Sequence, residues 1–357
     1  MSQQIQTQSP EGTAQTTSQC TSLRRSRIAA LGSYVPDWVV KNDDLRQWMD
    51  TSDEWIHERT GIRERRWVER GKGIGSSDLG VEAAKNCLTE AGLEPKDVQL
   101  VIFATLSPDH HFPGTGMFFQ RKLGIPAGTP VLDIRQQCTG FIYGLSIADQ
   151  FIKTGMYDRI LVVGAEVHST GLDLSTAGRD VSVIFGDGAG CALVVPAEDD
   201  KRCILSTHLH ADGRYAEDLW VEYPSSSHHP QYPEVTGDGA GKQYPRMKGK
   251  QVFKHAVTRM PEAIFEAFVR NGINLSELKM LVPHQANLRI NEYAAKLLGL
   301  PEDKVYNNIQ RFGNTTAASI PIALDECRQL GKVVAGDLIC LAAFGAGFTW
   351  GSVLLRL

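Results

Sequence analysis

Apolar and polar positions follow two alternating periods along most of the chain. Ser77–Ala91 has apolar residues at helical spacing and stops before Gly92, and Gly140–Thr154 has the same spacing. Val98–Thr105 and Ile160–Ala165 are short, continuous apolar runs rich in β-branched residues. Helical stretches that alternate with such runs predict an α/β fold whose sheets are largely buried on both faces.

Three blocks of the first half recur in the second half in the same order. The pairs are Asp97–Pro108 with Glu277–Asn287, Ile134–Glu166 with Ile309–Gly347, and Ile184–Val195 with Ala343–Leu355. The members of each pair share turn residues as well as hydrophobicity, which indicates duplication of one α/β unit. We therefore expect a tail at 1–22, an N-terminal half with a nucleophilic cysteine at 23–199 and a C-terminal half at 200–357.

Two segments break the alternation. Residues 1–22 are rich in Gln, Ser and Thr and lack the apolar stretch of a secretory signal, so we expect a disordered tail. Ala211–Met247 contains several glycines and prolines and the pair His228-His229, and we expect it to run over the surface or across the mouth of a site. No third ligand at a useful spacing accompanies the two histidines, so the sequence predicts no metal site there.

The composition excludes several classes of protein. With 357 residues, of which 42% are apolar, the chain can bury more than one globular core. A formal net charge of −4 argues against nucleic acid as a partner, and the longest apolar runs are too short to cross a bilayer. The seven cysteines are odd in number and form no CxxC pair. They predict neither a disulfide framework nor a zinc site, and they fit a reduced cytoplasm.

Cys138 differs from the other cysteines because it lies just ahead of a predicted helix, in QQCTGFIYGL. The positive end of the helix macrodipole favours a thiolate at that position, and Gly140 allows a substrate to approach the backbone closely. The N–H group of Cys138 would face the oxyanion that forms when the sulfur attacks a thioester. We therefore predict that Cys138 is a nucleophile.

Two further polar groups are predicted to lie near Cys138. Under the internal alignment, Gly313-Asn314 occupies the place that Cys138 has in the first half, and His284 ends a strand of the second half. A histidine Nε2–H and an asparagine amide can both donate to a thioester oxygen that gains enolate charge. A Cys/His/Asn set also fits a papain-like hydrolase or an amidase, in which water completes the reaction. Spacing does not decide between the two chemistries.

The motifs around these residues resemble those of the β-ketoacyl-acyl-carrier-protein synthase III family, which has the thiolase fold. The likeness runs from about Ile28 to Leu357. It rests on six motifs in family order: TSDEWIHERTGIRER, CTGF, IFGDGAG, HQANLRI, GNTTAAS and GAGFTWGS. The resemblance implies a thiolase-like, five-layered αβαβα subunit built from two duplicated halves, and a cytoplasmic homodimer.

The resemblance also implies an acyltransferase activity. Cys138 would take an acyl group from acyl-CoA, and a malonyl-acyl-carrier-protein thioester would then lose CO₂ and attack the acyl-cysteine. His284 and Asn314 would stabilise the enolate, while the N–H groups of Cys138 and Ala346 would form the oxyanion hole. The product would be a β-ketoacyl thioester for fatty-acid, related lipid or secondary-metabolite synthesis. No metal and no permanently bound cofactor are implied, since the coenzyme A thioester is a substrate.

The family's contacts with coenzyme A carry over one residue at a time. Trp55 and Arg179 match the residues that sandwich the adenine, and stacking by an indole and a planar guanidinium suits that role. Thr51, Arg59 and Asn287 match further contacts with coenzyme A.

The acyl pocket and the carrier-protein surface carry over in the same way. Phe112 matches an aromatic residue that enters the acyl pocket of the neighbouring subunit, and Phe185 matches one that lines the near side. Lys254 and Arg289 match basic positions that receive the acidic carrier protein.

The sequence departs from the family pattern at several points. Ala346 stands where glycine is usual, which a site that needs only a backbone N–H tolerates. Lys250 replaces an asparagine near the pantetheine path, and Pro113–Gly116 holds more glycine than expected beside Phe112. The 211–247 excursion is longer than in the housekeeping enzyme, and the tail is extra.

The departures leave acyl chain length, extender and pathway open. The alternatives are a non-decarboxylating condensation of two acyl-CoAs, a hydrolase with the same three residues, and a scaffold protein without catalysis. Two related chemistries fit less well. Biosynthetic thiolases have a second cysteine where this chain has Phe344, and the elongating synthases have a second histidine where it has Asn314.

Overall fold

The computed structural model describes residues 23–228 and 241–357. The predicted tail at 1–22 lies outside the described residues, as does the central part of the excursion, 229–240, which includes His229. Within the described ranges, helices and strands alternate as the hydrophobic pattern predicts. None of the helices in these ranges combines the length and the apolar character needed to cross a membrane.

The first half of the chain forms a mixed five-stranded sheet with helices on both faces. In chain order its elements are β1 (Ser26–Tyr34), β2 (Trp38–Lys41), α1 (Asp53–Thr60), β3 (Glu64–Trp67), α2 (Ser76–Ala91), β4 (Leu100–Ala104), α3 (Thr115–Leu123), β5 (Val131–Ile134), α4 (Gly140–Thr154), β6 (Ile160–Glu166), α5 (Arg179–Ser182) and β7 (Gly188–Pro196). The strand order is β1-β7-β6-β4-β5. β5 and β6 are parallel to β4, and β7 is antiparallel to both β6 and β1.

The second half repeats this arrangement, in the described residues, as a four-stranded sheet. Its elements are β8 (Ile204–Ala211), β9 (Leu219–Trp220), β10 (Arg246–Met247), α6 (Gly249–Asn271), β11 (Met280–Pro283), α7 (Leu288–Leu298), α8 (Ile309–Phe312), α9 (Ser319–Gln329), β12 (Leu338–Gly345) and β13 (Thr349–Arg356). The strand order is β8-β13-β12-β11. β11 is parallel to β12, and β13 is antiparallel to both β12 and β8.

Five layers follow from the way the apolar faces pack. α4 and α9 lie between the two sheets, where Phe141, Leu145, Ile320 and Leu324 belong to one buried cluster with residues of both sheets. α2 and α3 cover the outer face of the first sheet, and α6 and α7 cover the outer face of the second. The predicted five-layered αβαβα fold is therefore confirmed.

The two sheets correspond strand by strand. β1, β7, β6 and β4 match β8, β13, β12 and β11 in order and in relative direction. Where β5 pairs with β4 in the first sheet, the second has an isolated parallel bridge between Leu281 and Val305. α4 and α9 correspond as well, and this pairing brings Cys138 and Asn314, each just ahead of one of these helices, to the same region.

The described part of the Ala211–Met247 excursion crosses the mouth of a cavity. Trp220, Tyr223 and Met247 line that cavity. The two arms are joined by a hydrogen bond from the Tyr223 N–H to the Lys242 carbonyl, 3.2 Å, and by an ion pair between Lys242 and Glu222, 3.1 Å. The described part of this segment thus follows one of the two expected courses, the one across the cavity.

Candidate active site

A cavity of about 1170 Å³ opens where the residues ahead of α4 and α9 meet the ends of β6, β11 and β12. Cys138, His284, Asn314 and Ala346 all border it. The first half supplies Cys138 and the second half supplies the other three. The fold therefore brings together groups that are far apart in the sequence.

Cys138 lies in a single 3-10 turn, Gln137–Thr139, directly before α4. Its side chain is 7% exposed. Burial above all, together with the negative charge of Glu166, raises the pKa of the Cys138 thiol to about 12, although the N–H groups of Ala346 and Cys138 donate toward the sulfur. The resting group is therefore a thiol. The expected thiolate at the helix start is not favoured, because loss of solvation outweighs the helix macrodipole.

Gly345 brings the backbone of β12 against Cys138. A Cβ atom at Gly345 would lie 2.5 Å from the Cβ and 3.0 Å from the Sγ of Cys138. Only a residue without a side chain allows this approach, and the approach places the next N–H, that of Ala346, beside the sulfur.

His284 follows β11 and is 3% exposed. Its backbone N–H donates to the Ala342 carbonyl at 2.8 Å, which continues the pairing of β11 with β12. Its ring Nδ1 is 2.6 Å from the Oγ of Ser319, the first residue of α9. Nε2 is buried and has no hydrogen-bond partner among the described residues. Burial lowers the pKa of His284 to about 3, so the imidazole is neutral.

Asn314 is held on both its backbone and its side chain. Its N–H donates to the Ile184 carbonyl at 2.9 Å, and its own carbonyl accepts from the Gly186 N–H at 3.0 Å. Its side-chain Oδ1 accepts a hydrogen bond from the Thr316 N–H at 2.9 Å. With Oδ1 occupied in this way, the amide Nδ2–H groups remain for a ligand in the cavity.

Glu166, the last residue of β6, is a buried acid that the sequence predictions missed. It accepts hydrogen bonds from the Ser107 hydroxyl at 2.5 Å, the Ser107 N–H at 3.1 Å and the Leu106 N–H at 3.2 Å. Burial raises the pKa of Glu166 to about 7 in spite of these donors. An acid that directly follows a run of apolar residues is the feature that could have identified it.

Metal ligands do not cluster in the described part of the chain, where no group of three His, Cys, Asp or Glu residues is arranged to hold an ion. The thiol of Cys138, the neutral imidazole of His284 and the amide of Asn314 are among the polar groups that border the cavity.

Trp55 is in contact with two arginines, of which Arg59 lines the cavity. The guanidinium carbon of Arg59 is 4.4 Å from the indole centroid, and that of Arg179 is 4.5 Å from it. Arg179 also donates to the Asp50 carbonyl at 2.6 Å. The predicted sandwich pair is therefore in direct contact, and a base could enter between Trp55 and Arg179 only by separating them.

The other residues matched to coenzyme A lie close by. Asn287 caps α7 by accepting from the Arg289 N–H at 3.0 Å, and its amide donates to the Arg59 carbonyl at 2.8 Å. Arg59 and Asn287 line the cavity. Thr51 does not line it, and the Oγ1 of Thr51 is buried without a hydrogen-bond partner among the described residues.

The remaining predicted residues divide between the cavity and the surface. Phe185 lines the cavity. Phe112 is 85% exposed and does not line it. Lys254 and Arg289 are exposed, and the guanidinium carbon of Arg289 lies 5.9 Å from the Phe253 ring, which lines the cavity.

Comparison with known proteins identifies one family. The family model for 3-oxoacyl-[acyl-carrier-protein] synthase III matches residues 132–213, and the model for its C-terminal part matches residues 268–357. The β-ketoacyl-[acyl-carrier-protein] synthase III of Alkalilimnicola ehrlichii is 44% identical over 336 residues, 93% of this chain and 99% of that protein.

Solved structures give the same result. The 3-oxoacyl-[acyl-carrier-protein] synthase III of Aquifex aeolicus is 42% identical, with a TM-score of 0.84 over 93% of this chain and 100% of that one. A priming β-ketosynthase from a polyketide pathway is 34% identical, with a TM-score of 0.84 over 94% of this chain and 97% of that one. The chain belongs to the β-ketoacyl-[acyl-carrier-protein] synthase III family.

Proposed function

We propose that this protein transfers an acyl group from acyl-CoA to Cys138 and condenses it with a malonyl-acyl-carrier-protein thioester, with loss of CO₂. The observation that carries the proposal is the convergence of two kinds of donor on one cavity. The N–H groups of Cys138 and Ala346 face the nucleophilic sulfur, and the neutral groups of His284 and Asn314 border the same space. One thioester oxygen can be held by each pair.

In the first stage the Cys138 sulfur attacks the carbonyl carbon of acyl-CoA. The thiol proton passes to Nε2 of the neutral His284 and on to the departing sulfur of coenzyme A. A new sulfur–carbon bond forms as the old one breaks. The negative charge on the tetrahedral oxygen is held by the N–H groups of Cys138 and Ala346.

In the second stage the bond between the malonyl carboxylate and its α-carbon breaks. CO₂ leaves, and the electron pair moves into an enolate whose oxygen accepts hydrogen bonds from His284 Nε2–H and Asn314 Nδ2–H. The enolate carbon then attacks the acyl-cysteine, and the Cys138 sulfur departs as a thiolate that takes up a proton from the solvent. The hydroxyl of Ser319 can donate to Nδ1 of His284 or accept from it, so it supports the ring tautomer that each stage requires.

The hydrogen bonds favour condensation over hydrolysis. In a papain-like hydrolase the asparagine orients the catalytic histidine. Here Nδ1 of His284 is paired with Ser319, and the side-chain oxygen of Asn314 is paired with Thr316. Asn314 therefore acts beside His284 as a second donor and does not orient it.

The substrates and the assembly follow from the same surfaces. We propose that Trp55 and Arg179 bind the adenine of coenzyme A and that Thr51, Arg59 and Asn287 make further contacts with coenzyme A. We propose that the exposed Lys254 and Arg289 receive the acyl carrier protein, which the names of the relatives include. We propose a homodimer formed at the edge strand β5, with Phe112 closing the neighbouring acyl pocket beside Phe185.

The six described cysteines are free, which supports a reduced, cytoplasmic location.

The experiment is intact-protein mass spectrometry after incubation with acyl-CoAs of two to sixteen carbons, with Cys138→Ala as the control. A mass gain equal to one acyl group, absent from the control, is expected. Malonyl-acyl carrier protein should then remove this mass and yield CO₂ and a β-ketoacyl product. Free acid as the sole product would favour hydrolysis, and no adduct together with no released coenzyme A would overturn the proposal.

A further inference from the structure

His168 is a buried histidine beside the site that the proposed mechanism does not use. It follows β6 by two residues, is 6% exposed and lines the same cavity as Cys138. Its backbone N–H donates to Oδ1 of Asp187 at 2.7 Å, and its ring centroid is 4.6 Å from that of Phe185. The backbone of His168 is therefore held by Asp187, and one side of its ring packs near Phe185.

A chain of hydrogen bonds leads from this ring to Asn314. Nε2 of His168 is hydrogen-bonded to Oγ1 of Thr316. The backbone N–H of Thr316 donates to the side-chain Oδ1 of Asn314 at 2.9 Å. Thr316 thus joins the two side chains, and it is the residue that determines which way the Asn314 amide faces.

Thr316 needs such an anchor because of its backbone. Its φ is +48°, in the left-handed region that a β-branched residue rarely adopts. A residue in that region costs on the order of 1–3 kcal/mol and persists when its surroundings hold it there. The bond from its hydroxyl to His168 is a restraint that the fold supplies.

The arrangement resembles the one behind His284. The two donors of the proposed enolate site, His284 and Asn314, are each oriented by a hydroxyl residue ahead of or at the start of α9, Ser319 and Thr316. Burial lowers the pKa of His168 to about 3, so its ring is neutral and can exchange a hydrogen bond with a hydroxyl in either direction.

We propose that His168 is a positioning residue for the decarboxylation stage, where it acts through Thr316 to keep the Asn314 amide directed at the enolate oxygen. The inference rests on the proposed function and deepens it, because it assigns His168 to one stage of the reaction. Acylation of Cys138, which does not use Asn314, should be independent of His168.

The test compares two stages in four variants. His168→Leu and Thr316→Val remove the hydrogen bond, whereas His168→Gln places an amide nitrogen near the position of Nε2, and Thr316→Ser keeps the hydroxyl. Each protein is assayed for acylation of Cys138 by acyl-CoA and, separately, for CO₂ release from malonyl-acyl carrier protein. The assays use the purified full-length enzyme variants and the complete acyl carrier protein.

For His168→Leu and Thr316→Val we expect kcat for CO₂ release to fall by about 10- to 100-fold with little change in KM, because a misdirected donor weakens transition-state binding. Acylation should stay within about threefold, which also shows that each variant is folded. His168→Gln and Thr316→Ser should retain CO₂ release within about threefold. The double variant should be no slower than the slower single variant, since both remove one interaction.

Equal loss in both stages, or a His168→Gln enzyme as slow as His168→Leu, would mean that His168 has a general structural role and would overturn the assignment. Unchanged CO₂ release in His168→Leu would do the same. If the unaltered protein does not acylate Cys138 at all, the proposed function fails before any variant is compared, so the two failures are distinguishable.

Discussion

The two halves of the molecule share one scaffold and carry different chemistry. Each half has a sheet with the same strand order and a helix, α4 or α9, that begins at the cavity. Ahead of α4 lies a thiol, and ahead of α9 lies an amide, with a histidine from β11 beside it. The proposed function thus assigns the acyl group to the first half and the side-chain donors to the enolate to the second half.

The halves also differ in how they prepare these groups. Burial raises the pKa of Cys138 and lowers the pKa of His284, so both are neutral when the cavity is empty. The cysteine is flanked by backbone N–H groups, whereas His284 and Asn314 are held by Ser319 and Thr316. The two stages of the reaction should therefore be separable by substitutions in one half or the other.

The largest effect should come from removing one proposed catalytic side chain from each half in turn. Cys138→Ala should abolish acylation and retain release of CO₂ from malonyl-acyl carrier protein. Asn314→Ala should keep acylation and lower CO₂ release by about 10²- to 10³-fold, because one donor to the developing oxyanion is worth about 3 kcal/mol or more. Mass spectrometry and CO₂ capture on the same samples measure both. Parallel loss of both stages in each variant would contradict the division.

A smaller effect should follow from adding a side chain at Gly345, where the backbone of β12 lies against Cys138. Gly345→Ala would place a Cβ 2.5 Å from the Cβ of Cys138 and should slow acylation by about 100-fold. Ala346→Gly is the matched control, since only the N–H of that residue is proposed to act, and it should stay within about threefold. The acylation rate and the thermal unfolding midpoint are compared. An unimpaired Gly345→Ala enzyme would argue against the close contact.

The protonation state of the Cys138 thiol can be tested by varying the pH. The pKa of the Cys138 thiol is raised to about 12, so the thiol is mostly protonated below that value. Its thiolate fraction should therefore rise about tenfold for each unit of pH throughout the range from neutral to about pH 9. Alkylation by iodoacetamide should rise in the same proportion, with Cys138→Ala giving the background of the other cysteines. A rate that levels off near neutral pH would show that the thiolate is stabilised.

The smallest change concerns the strand that distinguishes the two sheets. Leu132 in β5 is 39% exposed, and a lysine there should oppose pairing of this edge with a second copy. We expect the dissociation constant of the proposed dimer to rise at least about tenfold, as measured by light scattering over a dilution series. Val269→Lys on α6, at a residue that is 60% exposed, is the control and should have no effect. Equal behaviour of the two variants would place the dimer elsewhere.

Hydrophobic periodicity predicted much of the fold because it is a local property. α4 has the predicted bounds Gly140–Thr154, and β6 extends one residue beyond the predicted strand, to Glu166. The internal repeat predicted two similar halves, and it also predicted that Cys138 and Asn314 occupy matching places. These inferences need only sequence spacing.

The support of the site could not be predicted in the same way. Ser319, Thr316 and His168 act through contacts between elements that are distant in the chain, and no periodicity marks such contacts. The raised pKa of the Cys138 thiol could not be predicted for the same reason, because the helix start is visible in the sequence whereas the desolvation of Cys138 depends on the packed fold. The direct contact between Trp55 and Arg179 likewise depends on how α1 lies against α5.

Because Trp55 and Arg179 are in direct contact, the proposed binding of adenine between them would replace that contact. An adenine base that enters must take the place of a guanidinium 4.5 Å from the indole centroid, so each new stacking interaction is gained as an old one is lost. In the proposed reaction, Arg179 competes with the nucleotide of coenzyme A for the same ring face once the acyl group has been transferred. Under this proposal the contact between Arg179 and Trp55 favours release of free coenzyme A, which must leave the cavity before the malonyl thioester can reach Cys138.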